Sequence, residues 1–300
     1  MQGRTELSHK TAAQTKNAPR PRVGVALGGG GVRGFAHIGV LKALVRAGIP
    51  VDLIAGTSVG GIVGAPFAAG HSVEEIEIEL LRLVQLRSMV RLIDLRPNRR
   101  GLIQRESVHQ YFAEQLGADL RFSHLPIPLA LIAADIQNGK EIVLTQGSVI
   151  DAICATMAVP GVIAPMDIDG RKLVDGGILN NVPADVARSM GADMVIAVDV
   201  AAARLITDPE TGLSAEEVIK SSVLPRFALD MWRAQAIMMQ EIVRLKLESA
   251  RPDILLKPPV PPEIGMFNGM GRAVELIAIG ERTTEAALPA IQAALEGKGE

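Results

Sequence analysis

The sequence predicts an α/β protein in three layers, with helices on both faces of a mostly parallel central sheet. Up to Val200, short apolar runs of strand length alternate with segments whose apolar residues recur at helical spacing. Glycine-rich turns follow the first two apolar runs, as at the carboxyl edge of a parallel sheet. The chain has 300 residues, 48% of them apolar, which is enough to bury a full core.

The predicted elements follow one another closely along the chain. Strands are predicted at residues 23–27, 51–55, 129–134, 141–145 and 194–200, with a hairpin over 167–174 that turns at Asp169-Gly170. Helices are predicted at residues 62–69, 73–86, 107–116, 148–157, 183–190 and 270–295, and another around Ile38, Leu41 and Leu44. We therefore divide the chain into a disordered polar tail (1–22), an α/β domain (23–200) and a mostly helical C-terminal extension (201–300).

Ser58 lies in the segment Gly56-Thr57-Ser58-Val59-Gly60, between the second predicted strand and a helix. A nucleophilic serine needs this place, because a tight turn lifts its hydroxyl away from the backbone and the two glycines remove side chains that would collide there. A serine in an ordinary glycine-rich turn would give the same pattern. The strand-to-helix context favours the nucleophile.

The glycine-rich segment 28–34 admits two interpretations. Its N–H groups at a helix start suit either the pyrophosphate of a dinucleotide or the oxyanion of an ester-cleaving reaction. A dinucleotide fold needs an acidic residue at the end of the second strand, about 20 residues later. Asp52 begins that strand instead, and the serine turn stands where the acid should be. The oxyanion interpretation is therefore favoured.

The general base is not expected to be a histidine. The five histidines are His9, His37, His71, His109 and His124. None follows residue 124, whereas an α/β-hydrolase triad has its histidine late in the chain. Asp175 ends a predicted strand before Gly176 and Gly177, which would let a substrate approach the carboxylate. Taken alone, an aspartate in a turn is the favoured interpretation of that position.

Together and in this order, the glycine loop, the GxSxG segment and Asp175-Gly176-Gly177 resemble the patatin-like phospholipase family, in particular its bacterial branch. The matching motifs also include residues 155–161, 173–177, 181–183 and 191–198. The resemblance covers about residues 22–200 and implies a patatin-like fold with a Ser-Asp dyad. It assigns the nucleophile to Ser58 and the proton acceptor to Asp175. It also assigns the oxyanion hole to Gly29, Gly30 and Gly31, and matches Arg33 and Gly34 to the family's GGGxRG motif.

The resemblance implies a serine lipid hydrolase that cleaves carboxylic esters of phospholipids or lysophospholipids through an acyl-enzyme. A general carboxylesterase or a transacylase would use the same dyad, and a non-catalytic lipid-binding regulator would keep the fold without turnover. An aspartate of ordinary pKa, about 3.9, is a weak base for a hydroxyl, so the site is expected to be partly desolvated. No cofactor and no metal are expected.

Composition sets the remaining expectations. The net charge of −2 gives no field that would attract nucleic acid. The lone Cys154 excludes an internal disulfide and is expected in the core. Without a disulfide framework or a signal-peptide pattern, a cytoplasmic location is favoured. No run of 18 apolar residues exists, so no membrane span is expected.

Two further stretches bear on a lipid substrate. Between residues 82 and 105, seven arginines and one acid, Asp94, alternate with apolar residues. This pattern suits peripheral contact with an anionic membrane and, equally, an ordinary solvated surface. A methionine-rich apolar stripe over 223–247 is expected in the core or at the seam of a homo-oligomer in preference to a lid.

Overall fold

The structure, a computed structural model, describes residues 20–85, 105–201, 226–265 and 269–299. Most of the predicted tail (1–22) and most of the arginine-rich segment (82–105) lie outside these ranges. Within them, the strands are β1 Val23–Leu27, β2 Leu53–Thr57, β3 Leu129–Asp135, β4 Lys140–Leu144, β5 Met166–Ile168, β6 Arg171–Asp175, β7 Met194–Val198 and β8 Ile254–Leu256. The helices are α1 Phe35–Arg46, α2 Val59–Ala68, α3 Val73–Gln85, α4 Arg105–Leu116, α5 Val149–Thr156, α6 Ala184–Ser189, α7 Arg226–Ala250 and α8 Ala273–Gly299.

The described strands form one sheet that is mostly parallel, as predicted. Strands β3, β2, β1, β7 and β8 lie side by side in that order and run parallel. Strands β4 and β6 both pair antiparallel with β3, and β5 completes the predicted hairpin with β6. That hairpin turns at Asp169 (φ 50°) and Gly170 (φ 75°), the positive values that a two-residue turn requires.

The strands β2 and β6 share one edge of β3. β2 pairs with residues 129–132 of β3, and β6 pairs with residues 133–135. β4 pairs with residues 131–135, which overlaps both of these segments, so β4 must occupy the opposite edge of β3. On the shared edge, Thr57 of β2 pairs with Ile132, and Asp175 of β6 pairs with Ala133. Because β2 runs parallel to β3 and β6 antiparallel, the C-terminal ends of β2 and β6 meet. The residues that follow these two ends are therefore brought together by the sheet itself.

Helices cover both faces of the sheet, which gives the predicted three layers. Successive strand residues point to opposite faces. Leu27 and Leu131 contribute to a core that α1, α2, α5 and α8 cover. Ala26 and Ile132 contribute to a second core that α6 and α7 cover. The predicted fold class is confirmed, and Cys154 is buried in the larger core as expected.

The described elements after residue 200 pack with the same sheet and its cores. α8 packs along α1 so closely that a Cβ at Gly39 would overlap the Ile277 carbonyl, and one at Gly280 would overlap the Ala36 carbonyl. β8 extends the parallel sheet beside β7, and the sequence pattern does not predict this strand. Its three residues are too few to show a strand pattern between two prolines. Among the described helices, none has both the length and the apolar character that crossing a membrane requires.

Candidate active site

Ser58 occupies a sharp turn between β2 and α2. Its dihedral angles are φ 54° and ψ −125°, a region that costs a side-chain-bearing residue about 1–3 kcal/mol. The turn fits because α2 lies almost against β1: a Cβ at Gly60 would overlap the carbonyl of Leu27, and one at Gly56 would lie 2.8 Å from the Gly61 nitrogen. This is the elbow that the sequence predicts, with both flanking glycines required by close packing.

Asp175 is the last residue of β6 and is 6% exposed. Burial raises its pKa to about 6, while the Ser58 hydroxyl and the Gly177 N–H act in the opposite direction. The Gly177 N–H donates to Oδ1 of the carboxylate at 2.8 Å. Gly176 has no room for a side chain, because a Cβ would overlap the Ile132 carbonyl. The predicted desolvated carboxylate is thus present beside Ser58.

The glycine loop lies directly beside Ser58, since a Cβ built on Gly29 would be 3.1 Å from the Ser58 Cβ. However, the Gly29 N–H already donates to the carbonyl of Asn181 at 3.0 Å. The assignment of Gly29 as an oxyanion donor is therefore wrong in this structure. Gly31 begins a 3₁₀ turn and Gly30 caps it, and within the described chain neither N–H donates a hydrogen bond. These two amides are the ones available to an oxyanion.

Arg33 is buried in the wall of the site, 7% exposed. Its Nε donates to the Ile264 carbonyl at 2.7 Å, so the loop after β8 helps to hold it. Burial lowers the pKa of the guanidinium and the negative charge of Asp199 raises it, but an arginine stays charged. Gly34, three residues after Gly31, has no room for a Cβ because the side chain of Val59 lies against it.

None of the described histidines lines the cavity at Ser58. His37 is fully buried, and its Nε2 donates to the carbonyl of Gly28 at 2.7 Å. Burial lowers the pKa of His37 to about 4, so the ring is neutral at physiological pH. His37 therefore supports the glycine loop through the Gly28 carbonyl.

The cavity at Ser58 has a mostly apolar wall. Its polar lining residues besides Ser58 and Asp175 are Arg33, Asn181 and Gln235; its apolar side chains are Val159, Pro160, Ile178, Ala201, Ala236 and Met239. Three of these residues come from α7, within the methionine-rich stripe. A core position is wrong for Met231 and Met238, which are 70% and 64% exposed. The stripe therefore contributes Met239 to the cavity wall and Met231 and Met238 to the exposed surface. That it forms the seam of a homo-oligomer stays a prediction.

Two polar residues at the site, Thr156 and Asn181, are not predicted from the sequence. Thr156 ends α5; its Oγ1 accepts the Ser58 N–H at 2.9 Å and donates to the Ile132 carbonyl at 2.5 Å. Asn181 accepts the Gly29 N–H through its carbonyl and donates through Nδ2 to the Gly29 carbonyl at 3.2 Å. Both lie within motifs that resemble the family. Polar residues within otherwise apolar motifs are the signal that would have found them.

The fold and the site together define an α/β protein that presents a serine at a strained elbow beside a buried aspartate and a glycine loop. The chain belongs to the patatin-like phospholipase family, whose model matches residues 25–188, more than half of the chain. An uncharacterized NTE family protein of Mycobacterium tuberculosis is 38% identical over 207 residues, which is 68% of this chain and 57% of that protein.

Patatin-like phospholipase domain-containing protein 7 of Rattus norvegicus is 38% identical over 182 residues, which is 59% of this chain and 13% of that protein. The structure of VipD from Legionella pneumophila matches 94% of this chain and 68% of that chain, with 14% identity and a TM-score of 0.49. The chain thus spans little more than half of the mycobacterial relative and a small part of the mammalian one. Within the described ranges, no cluster of three His, Cys, Asp or Glu side chains is placed to hold a metal ion.

Proposed function

We propose that this protein is a serine hydrolase that cleaves carboxylic ester bonds of phospholipids or lysophospholipids with a Ser58-Asp175 dyad. The observation that carries the proposal is the position of Ser58 on its elbow, beside a buried carboxylate whose pKa is raised to about 6. A carboxylate with that pKa is largely ionised at neutral pH and is a better base than an ordinary aspartate.

The proposed reaction has two halves. Asp175 takes the hydroxyl proton as Ser58 Oγ attacks the acyl carbonyl, and the amides of Gly30 and Gly31 stabilise the oxyanion. When the tetrahedral intermediate collapses, the alcohol leaves with the proton from Asp175 and the acyl group stays on Ser58. Asp175 then takes a proton from water, which attacks the acyl-enzyme, and the carboxylic acid leaves while the proton returns to Oγ.

The lipid substrate is supported by the family and by the cavity wall. Val159, Ile178 and Met239 give an apolar surface next to Ser58, which suits an acyl chain better than a polar acyl donor. A general carboxylesterase would have the same dyad, and a transacylase would replace water by an alcohol. We also propose peripheral contact with anionic membrane through the arginine-rich segment 82–105, most of which lies outside the described residues.

Labelling with a fluorophosphonate tests the proposal, because the reagent phosphonylates an activated serine. We expect the parent chain to be labelled and to hydrolyse p-nitrophenyl butyrate, and Ser58→Ala to do neither while its circular dichroism is unchanged. Ser189→Ala is a matched control, since that serine lies in α6 and its hydroxyl donates to the Val186 carbonyl at 2.8 Å. Labelling and turnover that persist in Ser58→Ala would refute the dyad, and their absence in the parent would favour a non-catalytic protein.

A further inference from the structure

A short segment at the end of α5 holds both proposed dyad residues by their backbones. The Ser58 N–H donates to Oγ1 of Thr156 at 2.9 Å. Two residues further along, the carbonyl of Ala158 accepts the Asp175 N–H at 2.9 Å. The nucleophile and the base reach the site on different strands, and this segment is bonded to both of them.

We propose that Thr156 is a positioning residue whose hydroxyl sets the place of Ser58 relative to Asp175. The inference rests on the proposed dyad and concerns how the dyad is held. Thr156 does not line the cavity, so it acts through the backbone of Ser58 and not on the substrate.

The hydroxyl is suited to this task because it acts both as a hydrogen-bond donor and as an acceptor. It donates its proton to the Ile132 carbonyl at 2.5 Å, which leaves a lone pair for the Ser58 N–H. Ile132 is the β3 residue that pairs with Thr57, immediately before Ser58. The hydroxyl therefore connects the elbow to the strand that carries both β2 and β6 on one edge.

Burial makes the contact hard to replace. Thr156 is 0% exposed, so bulk water does not reach the Ser58 N–H in place of the hydroxyl. Ser58 holds dihedral angles of φ 54° and ψ −125°, and such values persist only where the surroundings impose them. Without the acceptor, the elbow is free to relax toward ordinary dihedral angles. Oγ would then move away from the carboxylate and from the line of attack.

The methyl group of Thr156 has a separate role that the test exploits. A Cβ built on Gly61 of α2 would lie 3.0 Å from Cγ2 of Thr156, so the methyl fills space against that helix. Thr156→Ser keeps the hydroxyl and loses the methyl. Thr156→Val keeps the shape and loses the hydroxyl. The two variants thus separate the hydrogen bond from the packing.

The experiment measures kcat and KM on p-nitrophenyl butyrate, the rate of fluorophosphonate labelling, and the melting temperature. We expect Thr156→Val to lower kcat and the labelling rate about 10–100-fold, with KM within about twofold of the parent, because small displacements of reacting groups cost rates of that size. Thr156→Ser should keep kcat within about threefold of the parent even though it loses stability. Thr284→Val is the matched control: Thr284 is also 0% exposed, and its Oγ1 donates to the Gly280 carbonyl at 3.0 Å in α8, away from the site.

The outcomes separate this inference from the proposed function. If Ser58→Ala is inactive but Thr156→Val keeps the parental kcat, the dyad stands and the positioning role is refuted. A kcat for Thr156→Ser as low as that of Thr156→Val would assign the effect to packing and would also refute it. If Thr156→Val does not fold, Thr156→Cys replaces it in the comparison with Thr156→Ser. The cysteine side chain has the same unbranched form as serine, but its sulfur is only a weak hydrogen-bond acceptor. Parental turnover by Ser58→Ala would overturn both proposals.

Discussion

Thr57 and Asp175 pair with consecutive residues of β3, Ile132 and Ala133, on the same edge of that strand. Because β2 and β6 approach this edge from opposite directions, the serine after Thr57 and the aspartate that ends β6 face one another. The proposed dyad is therefore set by strand register. A slip of one residue in either strand would turn its side chains to the other face and separate the pair.

The activity should depend on pH through Asp175. Its pKa is raised to about 6, chiefly by burial, and only the ionised carboxylate accepts the Ser58 proton. We expect kcat/KM to fall about tenfold per pH unit below pH 6 and to level off above pH 7.

The variant Asp175→Asn tests this assignment. It should lower kcat about 10²–10⁴-fold and abolish the acid limb of the pH profile. Asp119→Asn, an exposed position, is the control and should keep the parental profile. An acid limb that survives in Asp175→Asn would assign the base to another group.

The same carboxylate should reduce the stability of the fold at neutral pH. The pKa of Asp175 is higher in the folded protein, about 6, than the ordinary value of 3.8, so folding is favoured by protonation. Its contribution to stability is complete below about pH 4 and is lost as the pH rises through 6. Asp175→Asn carries no charge at any pH. It should therefore exceed the parent in free energy of unfolding at pH 8, by up to about 3 kcal/mol, and by about half as much at pH 5.

Urea unfolding of the parent and Asp175→Asn at pH 5 and pH 8 measures this difference. The comparison between the two pH values cancels the change in packing and hydrogen bonding that the amide brings. A variant less stable than the parent at pH 8 and equally so at pH 5 would show that the folded and unfolded states hold this proton alike. Asp175 would then be an ordinary turn residue.

Local patterns predicted the ends of the strands but not how those ends meet. Ser58 and Asp175 each stand where an apolar run gives way to glycines, and such signals are contained in a few neighbouring residues. The common edge of β3 and the hydroxyl of Thr156 depend on contacts between distant segments. The Gly29 N–H is unavailable to an oxyanion because it donates to the carbonyl of Asn181, which lies 152 residues later in the chain. No pattern near residue 29 contains that information.

The position of α7 also depends on contacts that its local sequence does not contain. Its apolar stripe predicted a buried or paired face, yet Met239 and Ala236 line the cavity while Met231 and Met238 are exposed. A stripe at helical spacing defines one face of a helix and not what covers it. The partner of that face depends on where the chain returns after residue 225, which the local sequence does not state.

The glycine loop should lose its function when Gly30 gains a side chain. Gly30 has φ 169°, an extended value, so the obstacle is space and not dihedral preference. A Cβ there would lie 2.7 Å from Cγ2 of Val200, and the loop must shift to admit it. We expect Gly30→Ala to lower kcat by up to about 10²–10³-fold, the cost of one misplaced oxyanion donor. Initial rates on p-nitrophenyl butyrate measure it.

A second substitution checks that cause. Val200→Ala removes the atom that blocks the new Cβ, so the double variant Gly30→Ala/Val200→Ala should recover a large part of kcat. Gly271→Ala is the control, because its Cβ would enter open space and should leave kcat unchanged. Full activity of Gly30→Ala alone would show that this amide does not hold the oxyanion. Binding of NAD or ATP, measured by calorimetry and unaffected by labelling of Ser58, would favour the dinucleotide interpretation of the loop.

The arginine-rich segment should attach the protein to anionic lipid. Seven arginines between residues 82 and 105 face a single acid, Asp94, in the sequence. Each basic side chain near an anionic surface contributes roughly 1 kcal/mol, so replacing Arg96, Arg99 and Arg100 by Gln should weaken vesicle binding by up to about 100-fold. Sedimentation with vesicles of increasing phosphatidylserine content measures this, and binding should fall as salt rises, because salt screens the attraction.

A second triple variant is the control for the membrane prediction. Replacing the exposed Arg121, Arg171 and Arg282 by Gln changes the net charge equally and should have little effect on vesicle binding if attachment is local. Hydrolysis of p-nitrophenyl butyrate should stay at the parental rate in both triple variants, since that soluble ester does not need a membrane. Equal binding to neutral and anionic vesicles at every salt concentration would leave the segment as an ordinary solvated surface.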